Sequence, residues 1–81
     1  MFWTYVLQNP QGKLYIGQTS DLDKRLAAHN QGNTGYTTNI GGPWNLVYKE
    51  LYQTRSEAMK REKELKTGKG RDFIKRALQS F

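Results

Sequence analysis

The chain has 81 residues, enough for one small domain, and at that length only about 60–65% of the unfolded surface is buried, so a single core must hold it together. Its 36% hydrophobic and 25% charged residues exclude a disordered chain, and the lack of cysteine together with a lone histidine excludes disulfides, thiolate sites and a zinc cage. The formal charge of +6 is lopsided: from Arg55 onward nine basic residues face four acidic ones, which fits a polyanionic partner and equally a solvated, lysine-rich helix face.

Met1–Leu7 is apolar but short, unflanked by positive charge and followed at once by polar residues, so neither a signal peptide nor a membrane span is expected and the default setting is cytoplasmic. Residues 2–7 and 13–18, rich in aromatic and β-branched side chains, read as two strands. The intervening Asn9-Pro10-Gln11-Gly12 has the chemistry of a three-residue hairpin loop. An odd loop pairs odd residues with odd, which puts Tyr5 and Tyr15 on one face; a two-residue loop would put them on opposite faces. Gly17 inside the second strand suggests a bulge, or a close approach by another backbone or a ligand.

Thr19-Ser20-Asp21 starts a helix, with Ser20 and Asp23 spaced as a capping box, that runs to about Gln31. Leu22 and Leu26 define its apolar stripe, with Arg25 and His29 on the shoulder. Arg25 there either lies over the sheet with its head in water or aims, with the imidazole, into a cleft. Residues 32–43 read as a loop and Trp44–Tyr52 as a third strand. Thr54, with Glu57 three residues on, caps a second helix lasting to Lys66 or Thr67. Gly68 and Gly70 break the pattern, and Arg71–Ser80 reads as a third helix. The order ββαβαα describes an α+β domain over residues 1–81, a small three-stranded antiparallel sheet flanked by helices.

Ala58, Met59 and Leu65 mark the apolar stripe of the second helix, and Glu62 falls inside it. A carboxylate there meets either a buried cation such as Arg25 or a bound metal ion. Tyr5 and Tyr15 suit core aromatics with wet hydroxyls as well as they suit catalysts.

Several short motifs then fall in order: Trp3-Thr4-Tyr5, Tyr15-Ile16-Gly17, Thr19-Ser20-Asp21-Leu22 through Arg25 and His29, Gly35-Tyr36-Thr37, Pro43-Trp44-Asn45-Leu46-Val47-Tyr48, and Arg55-Ser56-Glu57-Ala58 leading to Glu62. Together they resemble the GIY-YIG nuclease superfamily, in particular its small single-domain bacterial members. The second motif is intact, the first keeps only its tyrosine, and the asparagine that many larger members carry after the metal-binding helix has no counterpart beyond Asn45. The resemblance implies an endonuclease that hydrolyses phosphodiesters of DNA, structured or single-stranded, or of other structured nucleic acid by in-line attack of an activated water. It implies Mg²⁺ or Mn²⁺ on Glu62, Arg25 at a non-bridging phosphate oxygen, Tyr5 or His29 as general base and Tyr15 as an orienting group. Lys66, Lys69 and Arg71 are the expected phosphate contacts. The alternative is a module on the same scaffold that grips nucleic acid without cutting it.

Overall fold

The computed structural model describes residues 1–31 and 43–79. Among them the chain forms β1 (Phe2–Gln8), β2 (Leu14–Thr19), α1 (Leu22–Asn30), β3 (Asn45–Tyr52), α2 (Arg55–Leu65) and α3 (Gly68–Gln79). The strands pair antiparallel in the order β2-β1-β3, so the fold is the expected α+β arrangement ββαβαα. Most of the loop expected at 32–43, with Gly35-Tyr36-Thr37, lies outside the described residues, as does Ser80.

The hairpin loop decides which side chains share a face. Asn9 N–H donates to the Lys13 carbonyl and Gly12 N–H to the Asn9 carbonyl, each at 3.0 Å, with Gly12 at φ +85°. The Asn9 carboxamide oxygen also accepts from the backbone of Gln11 and Lys13, at 3.1 and 2.8 Å. This closes a three-residue loop, and the register that follows pairs Tyr5 with Gly17 and Leu7 with Tyr15. Tyr5 and Tyr15 therefore project from the same face, their ring centroids 6.3 Å apart.

Both faces of the sheet are covered. Tyr5, Leu7 and Trp44 form a buried cluster with Leu22 and Leu26 of α1 packed on it. On the other face Val6 and Ile16 pack with Leu65 of α2 and Ile74 of α3. The Thr4 hydroxyl donates to the Ala58 carbonyl at 2.8 Å, tying the start of α2 to the central strand. Arg61 grips Glu50 of β3 through Nε at 2.9 Å and Nη2 at 3.3 Å, while the hydroxyls of Tyr48 and Tyr52 donate to the same carboxylate. Phe73 of α3 lies under the Arg61 guanidinium, 4.9 Å from ring centroid to Cζ.

Three local expectations are corrected. The cap of α1 is Asp21, not Ser20: its carboxylate accepts from Lys24 N–H at 3.1 Å, while its own N–H donates to Thr19 Oγ1 at 3.1 Å. Two cap-competent residues stand side by side, and the Thr19 hydroxyl selects the second. The third helix starts at Gly68 rather than Arg71, because Thr67 Oγ1 accepts from Gly70 N–H at 3.1 Å and supplies the cap. Gly70 sits where α3 crosses α2, and a Cβ there would stand 2.2 Å from the Glu64 carbonyl oxygen and 2.4 Å from Leu65 Cα. Met59 is 42% exposed, so the sheet-facing side of α2 comprises Ala58 and Leu65 with Arg61 and Glu62 half-buried between them. The Thr54–Glu57 capping box forms as expected, each residue's side chain accepting from the other's backbone N–H at 3.2 Å.

Candidate active site

The site begins at Gly17, a place where the sheet carries no side chain. A Cβ there would lie 2.7 Å from the Tyr5 hydroxyl, 3.0 Å from Tyr5 Cζ and 3.1 Å from Tyr15 Cε1. No bulge occurs at Gly17, since the register shift lies in the β1–β3 pairing between Val6 and Leu7, and what approaches the glycine is a tyrosine side chain rather than backbone. The glycine is there because the Tyr5 ring crosses its position to bring the phenol oxygen to the β2 edge.

That oxygen has two protein partners. Tyr5 is 1% and His29 2% exposed, and the hydroxyl lies 3.1 Å from His29 Nε2. Arg25 Nε reaches the same oxygen at 3.4 Å, and the guanidinium also interacts with Tyr15. Tyr15 and His29 pack with ring centroids 4.5 Å apart. Arg25 is thus a largely exposed residue whose guanidinium spans the two tyrosine oxygens, because Leu22 and Leu26 dock α1 on the sheet with Arg25 and His29 turned to the tyrosines.

Electrostatics separate the two candidate bases. Burial pushes the Tyr5 phenol up to about 12, with the Arg25 hydrogen bond pulling the other way and the neighbouring Tyr15 phenol and Glu62 carboxylate adding to the rise. Burial, reinforced by the Arg25 charge, holds the His29 imidazole below its usual value. At neutral pH the phenol therefore keeps its proton and the imidazole is neutral. A neutral imidazole with Nε2 unprotonated can accept the Tyr5 proton.

Glu62 stands on α2, on the other face of the sheet, yet near enough for its charge to act on Tyr5. Its carboxylate does not meet Arg25; it accepts from Lys66 Nζ at 2.7 Å, one turn along the helix. The lysine side chain is 53% exposed, and such an i,i+4 pair stabilises by only about 0.3–0.5 kcal/mol, so it gives way readily to a stronger partner. Among the described residues no three His, Cys, Asp or Glu side chains gather into a cage. A lone accessible carboxylate suits a hard cation such as Mg²⁺, which keeps most of its water shell and takes few protein ligands. Glu62 fits that requirement.

A cleft of about 610 Å³ runs from Tyr15, lined by Gly12 to Ile16 of the hairpin and by Lys66, Arg71 and Lys75. Of the three expected phosphate contacts, Lys66 and Arg71 line it and Lys69, though exposed, does not. Sequence reasoning overlooked Lys13 and Lys75. Lys75 was discoverable, since it lies one helical turn from Arg71; Lys13 was not, because only the fold brings the hairpin to α3. No helix among the described residues is long and apolar enough to cross a membrane.

Comparison with known proteins places the chain among relatives. A family model described as the GIY-YIG catalytic domain matches residues 1–75. The UPF0213 protein SSP2268 of Staphylococcus saprophyticus is 43% identical over 65 residues, covering 80% of this chain and 79% of that protein. The UPF0213 protein SAV0488 of Staphylococcus aureus is 42% identical over the same shares. The solution NMR structure of the UPF0213 protein BH0048 from Bacillus halodurans superposes with a TM-score of 0.55 at 30% identity, over 91% of this chain and 82% of that one.

Proposed function

The chain belongs to the GIY-YIG family, and we propose that it is a metal-dependent endonuclease, one domain that hydrolyses a phosphodiester of DNA by in-line attack of water. The observation that carries this reading is the buried contact between the Tyr5 hydroxyl and His29 Nε2, reached by Arg25 from the solvent side. A surface that only grips nucleic acid has no use for a phenol hydrogen-bonded to an imidazole beneath an arginine.

Hydrolysis needs a water stripped of its proton and positive charge on the phosphoryl oxygens. Tyr5 Oη takes the proton of the attacking water as its own proton passes to neutral His29 Nε2, so no standing phenolate is required. The lowered basicity of His29 keeps it neutral and ready to accept at neutral pH. Arg25 neutralises a non-bridging oxygen, and Tyr15, beside both Arg25 and His29, orients the phosphate or the water. Glu62 would hold a divalent ion, Mg²⁺ or Mn²⁺, which supplies charge stabilisation of the phosphoryl group and the leaving 3′ oxygen. The cleft leading from Tyr15 carries the neighbouring phosphates past Lys13, Lys66, Arg71 and Lys75.

The deciding experiment incubates purified protein with plasmid, branched and single-stranded DNA, with chelator, Mg²⁺ or Mn²⁺. Nicks or breaks that require the metal and vanish in Glu62→Gln support the enzyme. Tight DNA binding without cutting in either metal supports the binding module instead.

A further inference from the structure

Gln18 Oε1 is a buried side-chain oxygen with no hydrogen-bond partner among the described residues. An acceptor hidden from water and left unpaired is destabilising, so a native protein retains one where something else comes to it. Its place follows from the register. Gln18 pairs with Thr4 and lies on the same side of β2 as Ile16, the side that packs with Leu65 of α2. Ala58 stands over the level of Thr4, to which its carbonyl is bonded, and Leu65 over Val6 and Ile16. Glu62 falls between these two levels. Arg61 is turned toward Glu50 of β3, whereas Glu62, about 100° further round the helix, is bonded to Lys66, which lines the cleft with Leu14–Ile16 of β2. Glu62 and Gln18 thus come to one edge of the sheet, beside the Gly17 notch crossed by the Tyr5 ring.

We propose that Gln18 is the second protein oxygen of the divalent-cation site, its Oε1 facing the hydrated ion held by Glu62 and serving the ion or one of its waters. This rests on the metal-dependent reading above. A neutral amide oxygen is a suitable hard ligand, as is a carboxylate, but it adds no negative charge. With Glu62 as the single anion, the ion keeps a net positive charge toward an arriving phosphate. A second carboxylate would bind the ion more tightly and weaken that attraction.

The test uses Mn²⁺ alone, without nucleic acid, following the free-ion signal by electron paramagnetic resonance and the melting temperature in chelator and in Mn²⁺. Gln18→Met keeps the length and removes the acceptor. It is expected to melt higher than the parent in chelator, because the unpaired oxygen is gone, and to bind Mn²⁺ roughly 10-fold or more weakly. Gln18→Glu is expected to do the reverse, melting lower in chelator and binding Mn²⁺ more tightly. It carries the test by itself if the methionine variant does not fold. Glu62→Gln separates the two levels of the argument. If it abolishes Mn²⁺ binding while both Gln18 variants bind like the parent, the role of Gln18 is overturned and the metal reading stands. If Glu62→Gln binds Mn²⁺ like the parent, the metal reading falls and takes this inference with it.

Discussion

The Tyr5 hydroxyl lies 3.1 Å from His29 Nε2, and neither side chain has more than 2% of its surface exposed. Burial raises the phenol to about 12 and lowers the imidazole beside it from its usual value, so the proposed general base would be divided between two groups. On the proposed mechanism, the phenol oxygen would meet the water and the imidazole would store the proton.

Tyr5→Phe removes the oxygen and leaves the ring. Without the hydrogen bond to His29, stability should fall by about 0.5–1.5 kcal/mol, while the cleavage rate should fall by about a hundredfold or more. Thermal melts and single-turnover rates on one DNA substrate measure both. A variant that cuts at the parent rate removes Tyr5 from the mechanism and passes the base to His29 alone.

The pH dependence has a definite sign. His29 is held below its ordinary value of 6.5, so below that pH the unfolded chain takes up a proton that the folded chain resists. Stability is then lost as pH falls from about 6.5 through the folded value. Cleavage should fall over the lower part of that window, since protonated imidazole accepts nothing. His29→Gln should flatten the acid loss of melting temperature and slow cutting by about 10²–10⁴-fold. An acid limb that persists in both profiles of the variant would assign the titration to another group.

Gly17→Ala places a methyl 2.7 Å from the Tyr5 hydroxyl. The ring cannot swing away freely, being buried and bonded to His29, so a loss of about 1–3 kcal/mol in stability and a rate loss of tenfold or more are expected. Added to Tyr5→Phe, which deletes the crowded atom, the alanine should cost much less in stability than it does in the parent. Full additivity in the melts would show that the notch does not serve the hydroxyl.

Glu62→Gln should leave stability in chelator within about 0.5 kcal/mol of the parent, because the interaction removed is a pair with exposed Lys66. A loss of about 3–5 kcal/mol would instead reveal a buried cation dependent on Glu62. Cutting should be lost by orders of magnitude in either case.

Charge reversal distinguishes the cleft from the rest of the basic surface. Lys13→Glu and Lys75→Glu should each weaken DNA binding and lower the log–log salt slope by about 0.7–0.9 for each phosphate no longer neutralised. Lys69→Glu, outside the cleft, should do so much less. Fluorescence anisotropy across a salt series checks this, and equal effects at all three positions would mean that only net charge matters.

The features legible in the sequence are those set by neighbours in the chain. Asn9-Pro10-Gln11-Gly12 closed the loop whose parity placed Tyr5 and Tyr15 on one face, and Thr54 and Glu57 began α2, because turns and caps are decided within four or five residues. Glu62 stood out because a carboxylate on the sheet-facing side of a helix is anomalous by itself. Its partner was not legible: wheel geometry offered Arg25 or a metal, and the structure supplies Lys66, one turn away. Even locally, where two cap residues adjoin, as at Ser20 and Asp21, a single hydroxyl tipped the choice.

Only the tertiary structure decided what the polar residues do to one another. The 24-residue separation of Tyr5 and His29 is bridged because α1 lays Leu22 and Leu26 on the cluster that holds Tyr5. The same docking buries the phenol and the imidazole and shifts their proton affinities apart. Lys13 and Lys75 meet at one cleft because the sheet and α3 pack together. Turn and cap preferences are short-range and written in adjacent residues, whereas desolvation and side-chain convergence depend on which surfaces pack. Packing is a property of the whole chain, and no window of it contains the answer.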